Sequence, residues 1–369
     1  MRALFIGSAA TFAIACAGSA LALETTTASV KCSNSVKLQD KIDGVKAGTI
    51  ATFNVTGTCN ENLVIPKGKT IIIAGSSGAK ITPAKTSVEA LISNGDTTIS
   101  GMTIENMSGT AYTLVLADRG GYLEIIASTL SAPKSEYVAA FYNASAGLIS
   151  NSRVTGGTGG GIDLWDSSSL KIFGNPDDAS GPDGFKTTIS SPTGPDGAIG
   201  CGLASSVFVR AHQSGSKSGA ILLNDSMAGL TGGHQCVAYL SNKTGKADNF
   251  KITGMEGPGI SLNVSTLTLR GVKVTGNGGF GLDLRQTNAE ISTASSLSSS
   301  ADGDVNAGPG SNVFVNGWDG KNSMSDAFNK ETLKCWTGGI INIDSDALSL
   351  PTGKTMTDLL KKNPCVNPD

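Results

Sequence analysis

Aromatic side chains make up only 5% of this 369-residue chain, ionisable ones 16%, and there are just two histidines. The formal net charge is −2. Without a basic stripe there is nothing to grip a nucleic-acid backbone, so nucleic acid is excluded as a partner. Nor is there an acidic tail. Long apolar runs are missing too. The longest, Ala3 to Ile14, is short and rich in small residues, so no transmembrane segment is expected. Glycine, by contrast, is abundant at 48 residues, and Ile, Leu and Val recur at strand spacing. Such a chain is not disordered. It carries enough apolar side chains to bury a long, thin core.

The internal organisation is clearest in residues 151–172. Short apolar-alternating runs at Arg153 to Thr155, Ile162 to Trp165 and Leu170 to Ile172 are separated by glycine turns and a polar corner. Alternation of this kind is what a strand with one buried face requires. The phrase returns 120 residues later, where Leu282, Asp283 and Leu284 answer Ile162, Asp163 and Leu164. A unit of ~22–25 residues made of short strands cannot close a core alone, so copies must stack. The expected fold is therefore all-β: a right-handed parallel β-helix of roughly ten coils with short capping helices at both ends. The expected inward pairs are Ala90/Ile92, Leu114/Leu116, Ala139/Phe141, Ile162/Leu164, Ile221/Leu223, Ile260/Leu262 and Leu282/Leu284. Asn94, Asp118, Asn143 and Asp166 would form a polar corner column.

The chain divides accordingly. Residues 1–22 read as a secretory signal: Arg2, an apolar core, then Ala20-Leu21-Ala22 before the cut. This predicts a secreted or periplasmic protein. Anchoring as a lipoprotein through Cys16 is the alternative, and Ala13 stands where a bulkier residue is usual. Residues 23–34 lack a period and are expected to lie along the surface. A helix from Ser35, its N-cap, to Gly48 would place Leu38, Ile42 and Val45 on one side and cover the open end of the stack. Residues 49–350 form the β-helix. Side loops are expected at 173–198, which holds Gly-Pro-Asp-Gly twice, and at the low-complexity segment 292–311. Residues 351–369 form the C-terminal cap, with a short helix at 354–362.

Loss of the signal leaves six of the seven cysteines, an even number that in an exported chain suggests disulfides. A solenoid brings sequence neighbours together, which favours Cys32–Cys59, Cys201–Cys236 and Cys335–Cys365. Buried thiols are the alternative.

Residues 35–75 carry a resemblance. Helix, then Gly48-Thr49-Ile50, Gly57-Thr58-Cys59, Glu61-Asn62, Ile65-Pro66 and Lys69-Thr70-Ile71, resembles the first coils of exported right-handed parallel β-helix proteins of the pectate-lyase-like superfamily. The resemblance implies the fold, and with it polysaccharide lyases and glycoside hydrolases as activities to weigh; a fold alone does not assign a reaction.

Candidate binding residues follow from the outward positions. Tyr142, Asp163 and Trp165 would lie together on adjacent coils, and Asp283 and Arg285 on a later one. Aromatic faces bind the apolar faces of sugar rings, and a carboxylate accepts hydroxyl hydrogen bonds. Packing of Trp165 and Tyr142 beneath the 173–198 loop is the competing reading. Asp163 and Asp283, about five coils or ~24 Å apart at ~4.8 Å per coil, are too far apart to act as a glycosidase pair, which needs ~5–9.5 Å. No paired Asp-Asp with a Gly-His-Gly is present. Asp163 with Asp166, Asp177 or Asp178 stays open as a carboxylate pair, and Arg210 and His212, at strand spacing, are a base-and-clamp candidate. Asp302 to Asn306 opens like a calcium loop but has Ala307 and Val313 where Gly and Glu belong. No cofactor and no metal are expected, with calcium kept as the alternative. The expected function is therefore binding of a polysaccharide, a cell-surface glycan or another surface partner along a flat face, without catalysis. The alternative is a polysaccharide lyase or glycoside hydrolase. Oligomeric state is left open.

Overall fold

The structure is a computed structural model that describes residues 24–316, apart from positions 34, 178–180, 192, 215, 245, 293–294 and 299. Beyond 316 it describes 333–335, 338–343, 355, 357–358, 361 and 366–368. The signal segment, Cys16, Cys365 and most of the expected 354–362 helix lie outside the described residues.

The chain winds into a parallel β-solenoid of about twelve coils, rather than roughly ten. A full coil gives one strand to each of three sheets, which have 14, 11 and 10 strands among the described residues. In one coil these are Asp96–Ser100 in the 14-stranded sheet, Thr103–Glu105 in the 10-stranded sheet and Thr113–Ala117 in the 11-stranded sheet. All pairings between coils are parallel among the described residues; the antiparallel ones are the small excursion Gln213–Ser214 with Lys217–Ser218 and an isolated bridge between Gly181 and Gly184. Parallel coils bury one face of every strand, so each inward position forms a column of apolar side chains. One column in the 11-stranded sheet runs Leu63, Leu91, Val115, Ala139, Ile162, Ile199, Leu230, Ile260, Leu282, Val305 and Leu333. All are buried.

That column confirms the inward placement of Ala139/Phe141, Ile162/Leu164, Ile260/Leu262 and Leu282/Leu284 and corrects three others. Leu91 and Ser93, not Ala90 and Ile92, pair with the next coil's inward residues, and there Val115 and Ala117 replace Leu114 and Leu116. Both segments carry apolar residues on either face, so alternation could not set the register. Ile221 and Leu223 belong to a different sheet: they pair with Thr187 and Ile189 in the 10-stranded one. The missing members of the column are Ile199 and Leu230, so Asp163 and Asp283 are four coil steps apart rather than five.

The segments expected to be irregular each contain regular strands. Glu24–Lys31 lies along the surface as expected, exposed except at Val30, but as a regular strand paired in parallel with Thr49–Thr56. The 173–198 stretch contains the strand Lys186–Ser190, and 292–311 contains Ser296–Ser298 and Gly303–Ala307. Polar strands of this kind escape an apolar count because their inward positions include small residues. The acidic run at 302–306 therefore lies mainly in a strand rather than in a loop.

The capping helix is shorter than expected, Leu38–Asp43, with Leu38 and Ile42 buried over the first coil. Ser35 is not its N-cap. Lys37 is, without a side-chain cap, and Glu61 from the first coil does the capping instead: its carboxylate accepts the Leu38 and Gln39 N–H groups at 2.8 and 2.9 Å. A carboxylate at a helix N-terminus answers both its unpaired donors and its dipole.

Disulfides join Cys32 to Cys59 and Cys201 to Cys236, as the local-pairing rule expects. Cys335 is disulfide-bonded too, and its expected partner Cys365 lies outside the described residues. Of the expected corner column, Asn143 donates to Asp118 at 2.6 Å. Asn143 and Asp166 also turn the corner with positive φ, 55° and 54°, a conformation these side chains tolerate better than most. A serine/threonine stack lies deeper: the Ser128 N–H donates to Ser152 Oγ and the Ser152 N–H to Thr187 Oγ1.

Candidate functional site

An open cleft of about 550 Å³ lies on the outer face of the 11-stranded sheet. The strand Gly160–Leu164 sets it up. Ile162 and Leu164 point into the core, so Asp163 between them and Trp165 after them point out. The next coil places Gly200 beside Asp163 in the ladder and Gly202 two residues on. These glycines make room. A methyl group on Gly202 would sit 2.0 Å from Trp165 Cζ3, so the indole lies directly against a backbone without a side chain. Thr231, Gly232 and Gly233 continue the floor across the following coil. The cleft therefore crosses successive coils, as a groove for an elongated ligand does.

Its walls hold three of the chain's five tyrosines, Tyr112, Tyr137 and Tyr142, and one of its three tryptophans, Trp165. The hydroxyls are organised by two aspartates. Tyr142 donates to Asp163 Oδ2 at 2.5 Å, and Tyr137 donates to Asp196 Oδ2 at 2.6 Å. Tyr112 links the two halves: its hydroxyl is 3.2 Å from that of Tyr142, and its ring meets Tyr137 edge-on with centroids 5.6 Å apart. The two aspartates flank Gly200: a methyl group added there would lie 3.1 Å from Asp163 Oδ1 and 3.5 Å from Asp196 Cβ.

Burial in this aromatic setting pushes the Asp163 carboxyl up to about 6. The bond from Tyr142 opposes the rise, while the charges of Asp196 and Glu136 add to it. The Tyr142 and Tyr137 hydroxyls are both raised well above the usual phenol value, chiefly by burial, and then by the Asp163 charge and the Asp196 bond respectively. Both tyrosines thus remain neutral donors. Among described residues the only three His, Cys, Asp or Glu side chains that converge within 4.8 Å are Cys32, Cys59 and Glu61, elsewhere and two of them in a disulfide.

Of the residues expected from sequence, the structure brings Tyr142, Asp163 and Trp165 into this cleft. Tyr142 and Trp165 are register neighbours one coil apart, since Phe141 pairs with Leu164. Their rings do not stack on each other: Tyr142 meets Tyr112, at 6.3 Å between centroids, and Trp165 lies over Gly202. Trp165 is 39% exposed, so it is not packed away beneath the 173–198 segment. Asp283 and Arg285, on Phe280–Arg285, do not line the cleft, although Asp283 is the ladder neighbour of Ser261 at its end. There Asp283 accepts from Asn306 Nδ2 at 2.7 Å and lies 4.0 Å from the Arg285 guanidinium. Arg210, in the strand Ser206–Ala211 of the 14-stranded sheet, and His212 just after it are 3.4 Å apart and do not line the cleft, whereas His234 is at its rim.

Sequence reasoning missed Tyr112, Tyr137 and Asp196. Asp196 sits in the second Gly-Pro-Asp-Gly, residues 194–197, and that repeat was the available signal. No known family model matches the chain, and no curated protein matches it. Among solved structures, tailspike protein 2 of the Escherichia coli O157:H7 bacteriophage CAB120 is similar at a TM-score of 0.38 and 10% identity. The match covers 83% of this chain and 40% of the tailspike, so the chain spans about two fifths of that protein's length.

Proposed function

We propose that this protein is an exported β-helix that binds a glycan in the Tyr112/Tyr142/Asp163/Trp165 cleft without cleaving it. The observation that carries this reading is the concentration of aromatics. A chain with 5% aromatic residues gathers three tyrosines and a tryptophan in one open groove, beside carboxylates that accept hydroxyl hydrogen bonds. Exposed aromatic faces paired with such acceptors suit the two-sided surface of a sugar ring. The internal disulfides fit an oxidising compartment. No helix among the described residues is long and apolar enough to cross a membrane. Trp165→Ala should weaken glycan binding by ~1–3 kcal/mol, the range for a well-placed aromatic, with little change in melting temperature. Calorimetric titration against a polysaccharide panel measures the affinity, and a thermal unfolding scan the melting temperature. A stability loss with affinity untouched would make Trp165 a packing residue and remove the site.

A second reading, glycoside hydrolysis, is favoured by the nearness of Asp163 and Asp196 and by the proton that Asp163 holds to about pH 6, as a general acid would. New reducing ends from any member of the same panel, lost in Asp163→Asn, would establish it over binding alone.

A further inference from the structure

We propose that the sugar taken by this cleft carries a protonated amine, making its ligand a glucosamine-type saccharide rather than a uronic or sulfated one; this rests on the glycan reading above. Carboxylates outnumber basic groups in the cleft. Asp163, Asp166 and Asp196 line it, His234 stands at its rim, and no lysine or arginine lines it. None of the three aspartates takes part in an ion pair among the described residues. Asp163 and Asp196 are half-buried, and the side-chain donors they hold are the neutral hydroxyls of Tyr142 and Tyr137. Two neighbouring carboxylates taken partly out of water without a cation are costly, and a ligand that supplies the positive charge relieves that cost. The upward displacement of the Asp163 carboxyl has the same origin.

The walls favour the same ligand. Tyr112 is 47% and Trp165 39% exposed, leaving ring faces on which an ammonium group is attracted. A bare metal ion is a poorer fit, because the carboxylate oxygens of the cleft do not form a group of three within 4.8 Å of one another. A cation spread over a sugar ring needs no such convergence. Uronate and sulfate groups would instead meet uncompensated negative charge.

The test is calorimetric titration of the protein, in near-neutral buffer of low ionic strength above the value at which Asp163 gives up its proton, with three oligosaccharides of equal length: glucosamine, N-acetylglucosamine and galacturonic acid. The glucosamine oligomer should bind about tenfold tighter or better than its N-acetylated counterpart, as one charged hydrogen bond or cation–π contact provides. The galacturonate oligomer should not bind. Asp196→Asn, which keeps an acceptor for Tyr137, should bring the ratio close to one, and Trp165→Ala should weaken both amino sugars. Equal binding of the first two oligomers, or preference for galacturonate, would overturn the amine inference and leave the glycan site standing. Glucosamine binding indifferent to both substitutions would overturn it as well, by placing the contact elsewhere on the surface. No binding of any oligomer would overturn the amine inference and count against the glycan reading itself.

Discussion

Replacing Asp163 with asparagine isolates the electrostatics of the cleft. Burial moves the Asp163 carboxyl from an ordinary 3.8 to about 6. A folded-state value above the unfolded one means that the folded protein keeps this proton to higher pH than the unfolded chain does. The contribution to stability is therefore fully present below about 4, is lost as pH rises to about 6, and stays lost above. A gap of ~2 units corresponds to ~3 kcal/mol at ~1.36 kcal/mol per unit. Water at the open mouth of the cleft screens the charge, and we take ~1–2 kcal/mol as the penalty at neutral pH. Asparagine keeps the shape and still accepts the Tyr142 hydroxyl through Oδ1, but it cannot ionise. The variant should match the wild type near pH 4 and exceed it by ~1–2 kcal/mol above pH 7, the gap opening between those limits. Urea midpoints followed by tryptophan fluorescence across that range measure it. A difference that does not vary with pH, or one that closes as pH rises, would refute the assigned burial and proton affinity.

Three further outcomes follow from the packing. Leu164→Asp would bury an unpartnered charge in the column between Phe141 and Cys201, costing several kcal/mol or preventing folding; a wild-type melting temperature would put the strand register off by one. Gly202→Val should drive the Trp165 ring from its seat and lower glycan affinity by ~1–3 kcal/mol, with a shift in tryptophan emission; unchanged affinity would mean that the indole makes no contact with the ligand. Replacing Cys201 and Cys236 together by serine opens a loop of sequence separation 35 beside the cleft floor and should cost ~3–4 kcal/mol in the chain-entropy account. Denaturation midpoints equal to those of the oxidised wild type would show that the bridge does not constrain the unfolded chain.

The linear sequence determined the architecture because a solenoid is a local fold. Each strand pairs with one about a coil away, so the spacing of apolar residues within and between coils is enough to announce stacking, and neighbouring cysteines find each other. Register was legible where alternation was clean, as at Ile162 and Leu164. It was not at Leu91 and Val115, whose neighbours are apolar too, nor at Ile221 and Leu223, where an apolar pair of the right spacing belongs to another sheet. Outward placement of Asp163 and Trp165 followed from their inward neighbours, so half of the cleft could be read. The rest was decided by the way coils of unequal length bring corners together. Tyr137 meets Asp196 across 59 residues, through the insertion that carries the strand Lys186–Ser190 and the turn holding Asp196. Nothing in the alternation of either segment records that meeting. The proton affinity of Asp163 is likewise a tertiary property: it arises from the burial, the Tyr142 hydroxyl and the neighbouring carboxylates that only the stacked coils assemble around it.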